Sequence, residues 1–412
     1  MILSKKTITK GVWAYIFFFI SLEPAAFQHY GIVDNFFTVA QILMLILLLF
    51  FSFGRISKKE LSLKKVCLLM IIYYMYFILN TYANDGRVRH LTIQGIQFIG
   101  FVLYLDLVLK DNPKELFRSG INLLTVVIAI NCLLTLILKN GLYETIYYTN
   151  NYLLGYDNQN INFILPTLVL VLLKNECYKK CKMHIIVTYA IAWITAVRIW
   201  SGMTLVVTAL MTTVAIFCFH GNKGFFIRRI LTGKIFNFWN LLIVDIIANI
   251  ALVFFRLQYY FEFFIVHVLH RSLTLTGRTI IWDKTFYFIR QRPWFGYGRE
   301  HYDFRALKYG KHETSPTGLH AHNRFLETLY SGGIIMLILF LGIMFYAAKC
   351  LYKVRNTTFA KILSFGIFIY LIGMLTEYYD YCIFLWGFFV IAENAENILS
   401  KMKAETPPPE GV

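Results

Sequence analysis

The sequence predicts an all-α fold: a polytopic membrane helical bundle of about twelve transmembrane helices, with one large extracytoplasmic loop carrying short helices. Three observations lead there. The chain of 412 residues is 58% hydrophobic and only 15% charged, more apolar surface than a water-soluble core can hide, so lipid is the solvent. Apolar runs of about twenty residues, the length a helix needs to cross hydrocarbon, recur along nearly the whole chain. Lys and Arg collect between alternate runs, the mark of cytoplasmic loops in membrane proteins.

In chain order the runs fall near 12–30, 36–53, 66–82, 91–109, 119–138, 161–173, 184–199, 203–219, 238–257, 323–347, 362–378 and 383–399. The sixth and seventh are short, as tilted or broken spans would be. Lys5, Lys6 and Lys10 precede the first run, and no small-residue cleavage site follows it, so it reads as a retained first span. With the N-terminus cytoplasmic, the inner segments hold Arg55, Lys58, Lys59, Lys64 and Lys65, then Lys110, Lys114 and Arg118. Further inner clusters lie at Lys174 to Lys182, Lys223 to Lys234, Lys349 to Lys361, and Lys401 with Lys403. The short outer loops carry only Arg87, Arg89, Lys139 and Arg198. Both termini are therefore expected inside, with residues 258–322 outside as an extracytoplasmic catalytic loop. Residues 1–403 form a single integral membrane domain, and 404–412 read as a disordered tail.

The net charge of +17 does not point to nucleic acid, because no basic run is long and none sits in a soluble domain. Seven cysteines, at 67, 132, 177, 181, 218, 350 and 382, are odd in number and absent from the long loop, which argues against a disulfide framework. Cys177 and Cys181 lack the second pair that a zinc site needs.

Chemistry concentrates in the long polar stretch. Six of the ten histidines lie between His267 and His322, ending in His320-Ala321-His322-Asn323-Arg324-Phe325-Leu326-Glu327 just before an apolar run. The loop also carries Arg271, Arg278, Lys284, Arg290, Arg292, Arg299, Arg305, Lys308 and Lys311 against Glu262, Asp283, Glu300, Asp303 and Glu313. That composition fits either a solvated, roughly balanced loop or an anion site in which guanidinium groups grip phosphate. Residues 277–291 read as a helix lying on the bilayer, with Trp282, Tyr287 and Trp294 suited to the headgroup zone. Pro293 and the turn Gly296-Tyr297-Gly298 end it. A second outer loop, 139–160, is rich in Tyr and Asn, residues that stack on sugar rings and bond hydroxyls but are also ordinary at membrane interfaces.

His320 and His322, two apart, point the same way in an extended chain. As metal ligands they would recruit His301, His312 or Glu313. As a general base, one neutral imidazole takes a proton from an attacking hydroxyl near neutral pH, with Asn323 or Glu327 fixing its tautomer. As plain loop residues they would have no role. Arg198 ends the seventh run, where an arginine either snorkels to headgroups or clamps phosphate. Arg278 is a third candidate. Asp245 and Asn249, one turn apart in the ninth run, are positioned to pair with Arg198 or line a cavity. Glu23 beside Pro24, and Glu377 with Asp380, are weaker polar insertions. No glycine-rich phosphate loop, Walker motif or His-Glu-x-x-His helix is present. An extracytoplasmic transfer would therefore need a donor that arrives activated, such as a lipid-linked pyrophosphate sugar.

Four motifs follow one another around the loop: Arg198 before Ser201-Gly202-Met203; Gly277-Arg278 with Trp282; Pro293-Trp294-Phe295-Gly296-Tyr297-Gly298; and His320 to Glu327 followed by Gly332-Gly333-Ile334. In this order they resemble the O-antigen polymerase (Wzy-type) and O-antigen ligase superfamily of bacterial membrane glycosyltransferases. The resemblance implies a GT-C-like bundle of about twelve spans and a glycosyltransferase that needs no nucleotide sugar, cofactor or metal and inverts the anomeric carbon by a single displacement. It implies His322 as the base, with His320 a second choice, and Arg198 and Arg278 on the pyrophosphate of an undecaprenyl-linked glycan donor. Asn323, Glu327 and Asp245 would support them. Val197 departs from the Ser that usually precedes the arginine of the seventh span. The acceptor would be a second lipid-linked repeat unit for a polysaccharide polymerase of capsule, exopolysaccharide or O-antigen, or a different molecule for a ligase. The low Ala content with abundant Ile, Phe, Asn, Lys and Tyr fits an AT-rich genome and favours polymerase. A flippase or other transporter is the remaining alternative, against which stands the absence of a two-half repeat. Expected partners are the bilayer, a chain-length regulator and a flippase, in the bacterial cytoplasmic membrane.

Overall fold

The structure is a computed structural model and describes residues 11–56, 64–145, 150–178, 182–219, 236–263, 267, 277–309, 320–378 and 383–405. The described chain is helical, with two isolated β-bridges, Tyr143 with Asn151 and Tyr152 with Gly155. The main helices in order are α1 (Gly11–Leu22), α2 (Gly31–Ile56), α3 (Lys65–Ala83), α4 (Val88–Asp111), α5 (Pro113–Ile137), α6 (Ile161–Tyr178), α7 (Lys182–Ile199), α8 (Gly202–Phe219), α9 (Phe238–Val253), α10 (Arg278–Gln291), α11 (Tyr302–Tyr309), α12 (Arg324–Lys353), α13 (Thr358–Gly373), α14 (Ile383–Glu393) and α15 (Ala395–Glu405). Six of them, α2, α3, α4, α5, α7 and α12, are long and apolar enough to cross a membrane. The apolar helices α1, α8, α9, α13 and α14 are shorter.

Two predicted runs are interrupted for visible reasons. The run 12–30 breaks after Leu22, where Glu23 has a positive φ of 30° and Pro24 precedes a five-residue helix, Ala25–His29. The run 383–399 breaks at Asn394, between α14 and α15. In α6, Pro166 sits inside the helix. Proline has no N–H for the carbonyl four residues back, and that carbonyl, on Asn162, accepts instead from the Tyr370 hydroxyl at 3.3 Å.

The helices sort by face. On α2, Phe36, Val39, Leu43, Ile46 and Phe50 are exposed, a stripe at helical spacing. Bare apolar surface of this kind belongs against lipid tails. The core forms where α4, α6 and α14 are enclosed: Val102, Val108, Leu165, Leu168, Phe389 and Val390 are fully buried. Tyr73, Phe98, Phe340 and Trp386 pack edge-on or tilted between α3, α4, α12 and α14.

The bundle has two chemically distinct ends. At one, Lys64 donates to Asn394, Asn397 to the Leu109 carbonyl, Lys401 to Lys110 and Asp111 carbonyls, and Lys353 pairs with Glu396. At the other, where α3 ends and α12 begins, the polar stretch after α9 folds back. Asn80 of α3 and Asn84, just past its end, meet Phe295 and Arg292, and the Arg87 N–H donates to the Arg299 carbonyl. The lysine-rich end and the histidine-rich end are therefore opposite ends of the same bundle.

The fold-back is held by a break in α12. Gly333 has φ 64° and ψ −164° inside the helix, so carbonyls and N–H groups around it lose their helical partners. Residues 293–298 replace them. Tyr297 and Gly298 N–H donate to the Tyr330 and Ser331 carbonyls at 2.9 and 2.7 Å, and Ile334 N–H donates to the Pro293 carbonyl at 2.8 Å. Asn80 also donates to the Ser331 carbonyl at 2.8 Å, and the Tyr76 hydroxyl to that of Gly332 at 2.8 Å. A Cβ on Gly333 would overlap the Trp294 carbonyl. The Pro293–Gly298 and Gly332–Gly333 motifs are thus the two halves of one contact.

Candidate functional site

His322 is the last residue but one before α12, and its backbone is left-handed, φ 48°. A non-glycine residue there is strained by about 1 kcal/mol, and its neighbours hold it. Asn323 caps the helix: its Oδ1 accepts from Leu326 N–H at 3.0 Å, satisfying one of the orphan donors of the first turn. The other end of the same side chain donates to Asn249 Oδ1 at 2.9 Å and to the Leu375 carbonyl at 3.0 Å. Arg324 N–H donates to the Met374 carbonyl at 3.0 Å. The start of α12 is therefore tied to α9 and to the segment that follows α13.

Ala321 is pinned from both sides. Its carbonyl accepts from the indole N–H of fully buried Trp282 at 2.9 Å, and its N–H donates to Glu327 Oε2 at 2.7 Å. Glu327 in turn receives both Nη atoms of Arg305, at 2.6 and 2.7 Å, and the Ser331 hydroxyl at 3.2 Å. This bidentate pair is buried on both sides. Geometry this good is what allows two charges to leave water.

The rings meet above this base. His320 and His322 have centroids 4.0 Å apart, and His320 Nδ1 accepts from His322 N–H at 3.2 Å. That bond places any single ring proton of His320 on Nε2. Burial pulls the His320 pKa well below the usual imidazole range, and His322, Arg305, Arg278 and Arg299 push the same way. Tyr378 lies against its other side, 5.5 Å between centroids.

His322 Nδ1 lies 3.6 Å from Glu377 Oε2. It is buried and has no hydrogen-bond partner among the described residues. The other oxygen of Glu377 is held by Arg278, at the first turn of α10, and by Asn158 Nδ2 at 3.4 Å. Asn158 Oδ1 accepts from Ser201 Oγ at 3.1 Å. One carboxylate therefore bridges a guanidinium and an imidazole that are 44 residues apart in number, from Arg278 to His322.

Several expectations are corrected by this arrangement. Neither Asn323 nor Glu327 touches a ring nitrogen of His322: Asn323 is committed to Asn249 and Leu375, and Glu327 to Arg305, Ser331 and Ala321. Both act on the backbone that carries the histidine. Trp282 is not a headgroup residue, being fully buried under Ala321, while Tyr287 and Trp294 are exposed. Asp245 does not pair with Arg198. It is fully buried in α9 with both carboxyl oxygens unpartnered among the described residues, and Asn249, one turn on, carries the link to Asn323. Arg198 is exposed at the end of α7, three residues before Ser201, and joins the cluster in sequence rather than by a direct bond to His322 or Arg278. His312, Glu313 and Asp380 lie outside the described residues. His301 packs near Phe304, and no group of three or more metal-ligating side chains occurs among the described residues.

Two groups were missed as site members. Glu377 read as a weak polar insertion at the end of an apolar run, and Asn158 as one of many Asn and Tyr residues in 139–160. The one available signal was a lone carboxylate at the mouth of an otherwise apolar segment, where burial demands a cationic partner.

Four cations in and beside the loop form ion pairs: Arg256 with Asp283, Arg278 with Glu377, Arg305 with Glu327 and Lys308 with Glu300. The cation of interest is the one that shares its acid with a histidine.

Fold and site together define an integral membrane protein of apolar helices with an organised polar centre of histidine, carboxylate and guanidinium at one end of the bundle. Residues 183–341 match the family model described as Wzy_C, O-antigen ligase, and this match supports the O-antigen polymerase and ligase superfamily, a group of glycosyltransferase-like membrane enzymes. The matched segment contains Arg198, Asp245, Arg278, His320, His322, Asn323 and Glu327, and excludes Asn158 and Glu377. No curated protein and no solved structure matches the chain significantly.

Proposed function

We propose that the protein is a polysaccharide polymerase that transfers a glycan from undecaprenyl pyrophosphate to a sugar hydroxyl of another lipid-linked repeat unit. The observation that carries the proposal is the contact of His322 and Arg278 with the same carboxylate. A base and an anion-binding cation then stand close enough to serve the two ends of one displacement.

In the reaction, His322 takes the proton of the acceptor hydroxyl as its oxygen bonds to the anomeric carbon. The bond from that carbon to the pyrophosphate oxygen breaks, and the lipid pyrophosphate leaves with the electron pair. Arg278 stabilises the charge that develops there, and Arg198, exposed at the end of α7, assists from the bulk side. A single displacement inverts the anomeric carbon. His320 stays neutral and positions His322 through its backbone N–H.

The opposite character of the two ends supports an orientation for the proposed enzyme. Lysine-rich ends face the cytoplasm, so the histidine end faces outward, where lipid-linked donors are presented after export. Both termini then lie inside, α15 being at the lysine end. A ligase uses the same donor and the same two residues and differs in the acceptor, and the family description names that activity.

The experiment is His322→Ala in the native host, followed by electrophoresis of the surface glycan. Loss of long chains with single repeat units still exported is the outcome expected of a polymerase. Long chains accumulating on the lipid carrier would assign a ligase. Repeat units trapped at the inner leaflet would assign a transporter and overturn the proposal.

A further inference from the structure

Glu377 stands at a choice between two partners. Its Oε1 is engaged by Arg278 and Asn158, while Oε2 falls short of His322 Nδ1 at 3.6 Å. A hydrogen bond between those atoms needs about 2.8 Å, so a carboxylate movement of about 0.8 Å would close it. Nothing else among the described residues meets that buried nitrogen. An imidazole nitrogen left buried and unpaired is costly, and the arrangement holds it open beside the group best suited to fill it.

We infer that Glu377 is a handover residue: the donor pyrophosphate takes Arg278 from it, and the released carboxylate closes onto His322 Nδ1. The inference rests on the proposed role of Arg278 and His322. Glu377 touches neither substrate nor reacting atom and is a positioning residue. Its effect is to fix the proton of His322 on Nδ1, present Nε2 to the acceptor, and stabilise the imidazolium that forms when the hydroxyl proton arrives. The base becomes strong only once the donor is seated, so donor binding precedes acceptor activation.

The charged and titratable surroundings permit this reading. On the same segment His320 is 4.0 Å away, ring to ring, and stays neutral. From the segment after α13 come Glu377 and Tyr378, and from α10 comes Arg278. From the loop before α6 come Asp157, which feels the charge of Glu377, and Asn158. Arg305 and Arg299 act at His320 from the fold-back, the first of them neutralised by Glu327. Among these, Glu377 is the acid placed to bind His322, and it lies outside the segment that matches the family.

The test uses the full chain in nanodiscs and inorganic pyrophosphate as the probe. The rate of His322 carbethoxylation against pH, read by peptide mass spectrometry, gives the inflection of that ring. Calorimetry with and without Arg278→Ala gives pyrophosphate binding. In the wild type, pyrophosphate is expected to raise the inflection by about one pH unit more than in Glu377→Gln, where only the direct field of the anion acts. Glu377→Asp keeps the charge but shortens the reach, and it is expected to bind pyrophosphate and to lose the extra shift. It serves if the Gln variant fails to fold. Equal shifts in wild type and variants, with Arg278-dependent pyrophosphate binding intact, overturn the handover and leave the proposed function standing. Absence of Arg278-dependent binding overturns both.

Discussion

Arg305 and Glu327 form a two-pronged ion pair, 2.6 and 2.7 Å, buried beneath the histidines. Because Glu327 also receives the Ala321 N–H, this pair sets the height of the backbone on which His320 and His322 stand. Removing one partner leaves a charge without compensation in an apolar setting, which costs about 3–5 kcal/mol. Glu327→Gln and Arg305→Leu are each expected to lower the melting temperature of the purified protein in detergent. The double variant, with both charges gone, is expected to recover part of that loss. Melting temperatures of the two single variants equal to wild type would remove the pair from its supporting role.

In the proposed reaction His322 serves chemistry and not stability. Its backbone is left-handed, a conformation glycine adopts freely. His322→Gly is expected to keep or raise the melting temperature while reducing glycosyl transfer about 10²–10⁴-fold, the usual share of a general base. A variant with normal turnover would remove the residue from the mechanism.

The break in α12 predicts a different phenotype. At Gly333 a Cβ would meet the Trp294 carbonyl, and φ is 64°. Gly333→Val is expected to detach residues 293–298 from the helix and to open the loop to protease, read as faster tryptic cleavage within 277–309. Unchanged cleavage kinetics would show that the loop is held elsewhere.

Acidification acts on His320. Its folded pKa is depressed, chiefly by burial, so the unfolded chain binds the proton more readily and stability rises with pH through that residue. The contribution is complete above the unfolded imidazole value of roughly 6.5 and is lost as pH falls below it toward the folded value. Melting temperature measured from pH 7 to pH 5 is expected to fall more steeply in wild type than in His320→Gln. Parallel curves would contradict the neutral assignment.

The cap at Asn323 closes the set. Asn323→Ala removes the bond to Leu326 N–H and the link to Asn249, with an expected loss of about 0.5–2 kcal/mol for the cap. Asn249→Ala removes the link alone and is expected to lower turnover with a smaller fall in melting temperature than Asn323→Ala, measured as turnover against melting temperature.

Much of this architecture was legible from residue pattern because the controlling physics is local. Apolar runs of helical length, and proline and glycine punctuation, each act within a few residues. So do the His320–His322 pair and the boundaries of α10. Contacts that join distant segments left weaker traces. Nothing in the spacing says that Pro293–Gly298 repairs a broken helix at Gly333, since that depends on both segments being brought together. Glu377 was undervalued for the same reason. A carboxylate at the end of an apolar run has a partner, but the sequence does not say that the partner is Arg278, 99 positions earlier. Trp282 was read by its amphipathic character, whereas tertiary packing buries it beneath Ala321. Glu327 was read as a side-chain partner of the histidine, whereas the helix start turns it toward the backbone and Arg305.

The account stands most directly on glycosyl transfer by the purified protein. A synthetic repeat unit on a polyprenyl pyrophosphate is supplied as donor and acceptor, and release of lipid pyrophosphate is followed together with glycan length. The wild type is expected to lengthen the glycan with one lipid pyrophosphate freed per unit added, and His322→Ala and Arg278→Ala to do neither. Undiminished chain growth in both variants would contradict the assignment of the reaction to this cluster.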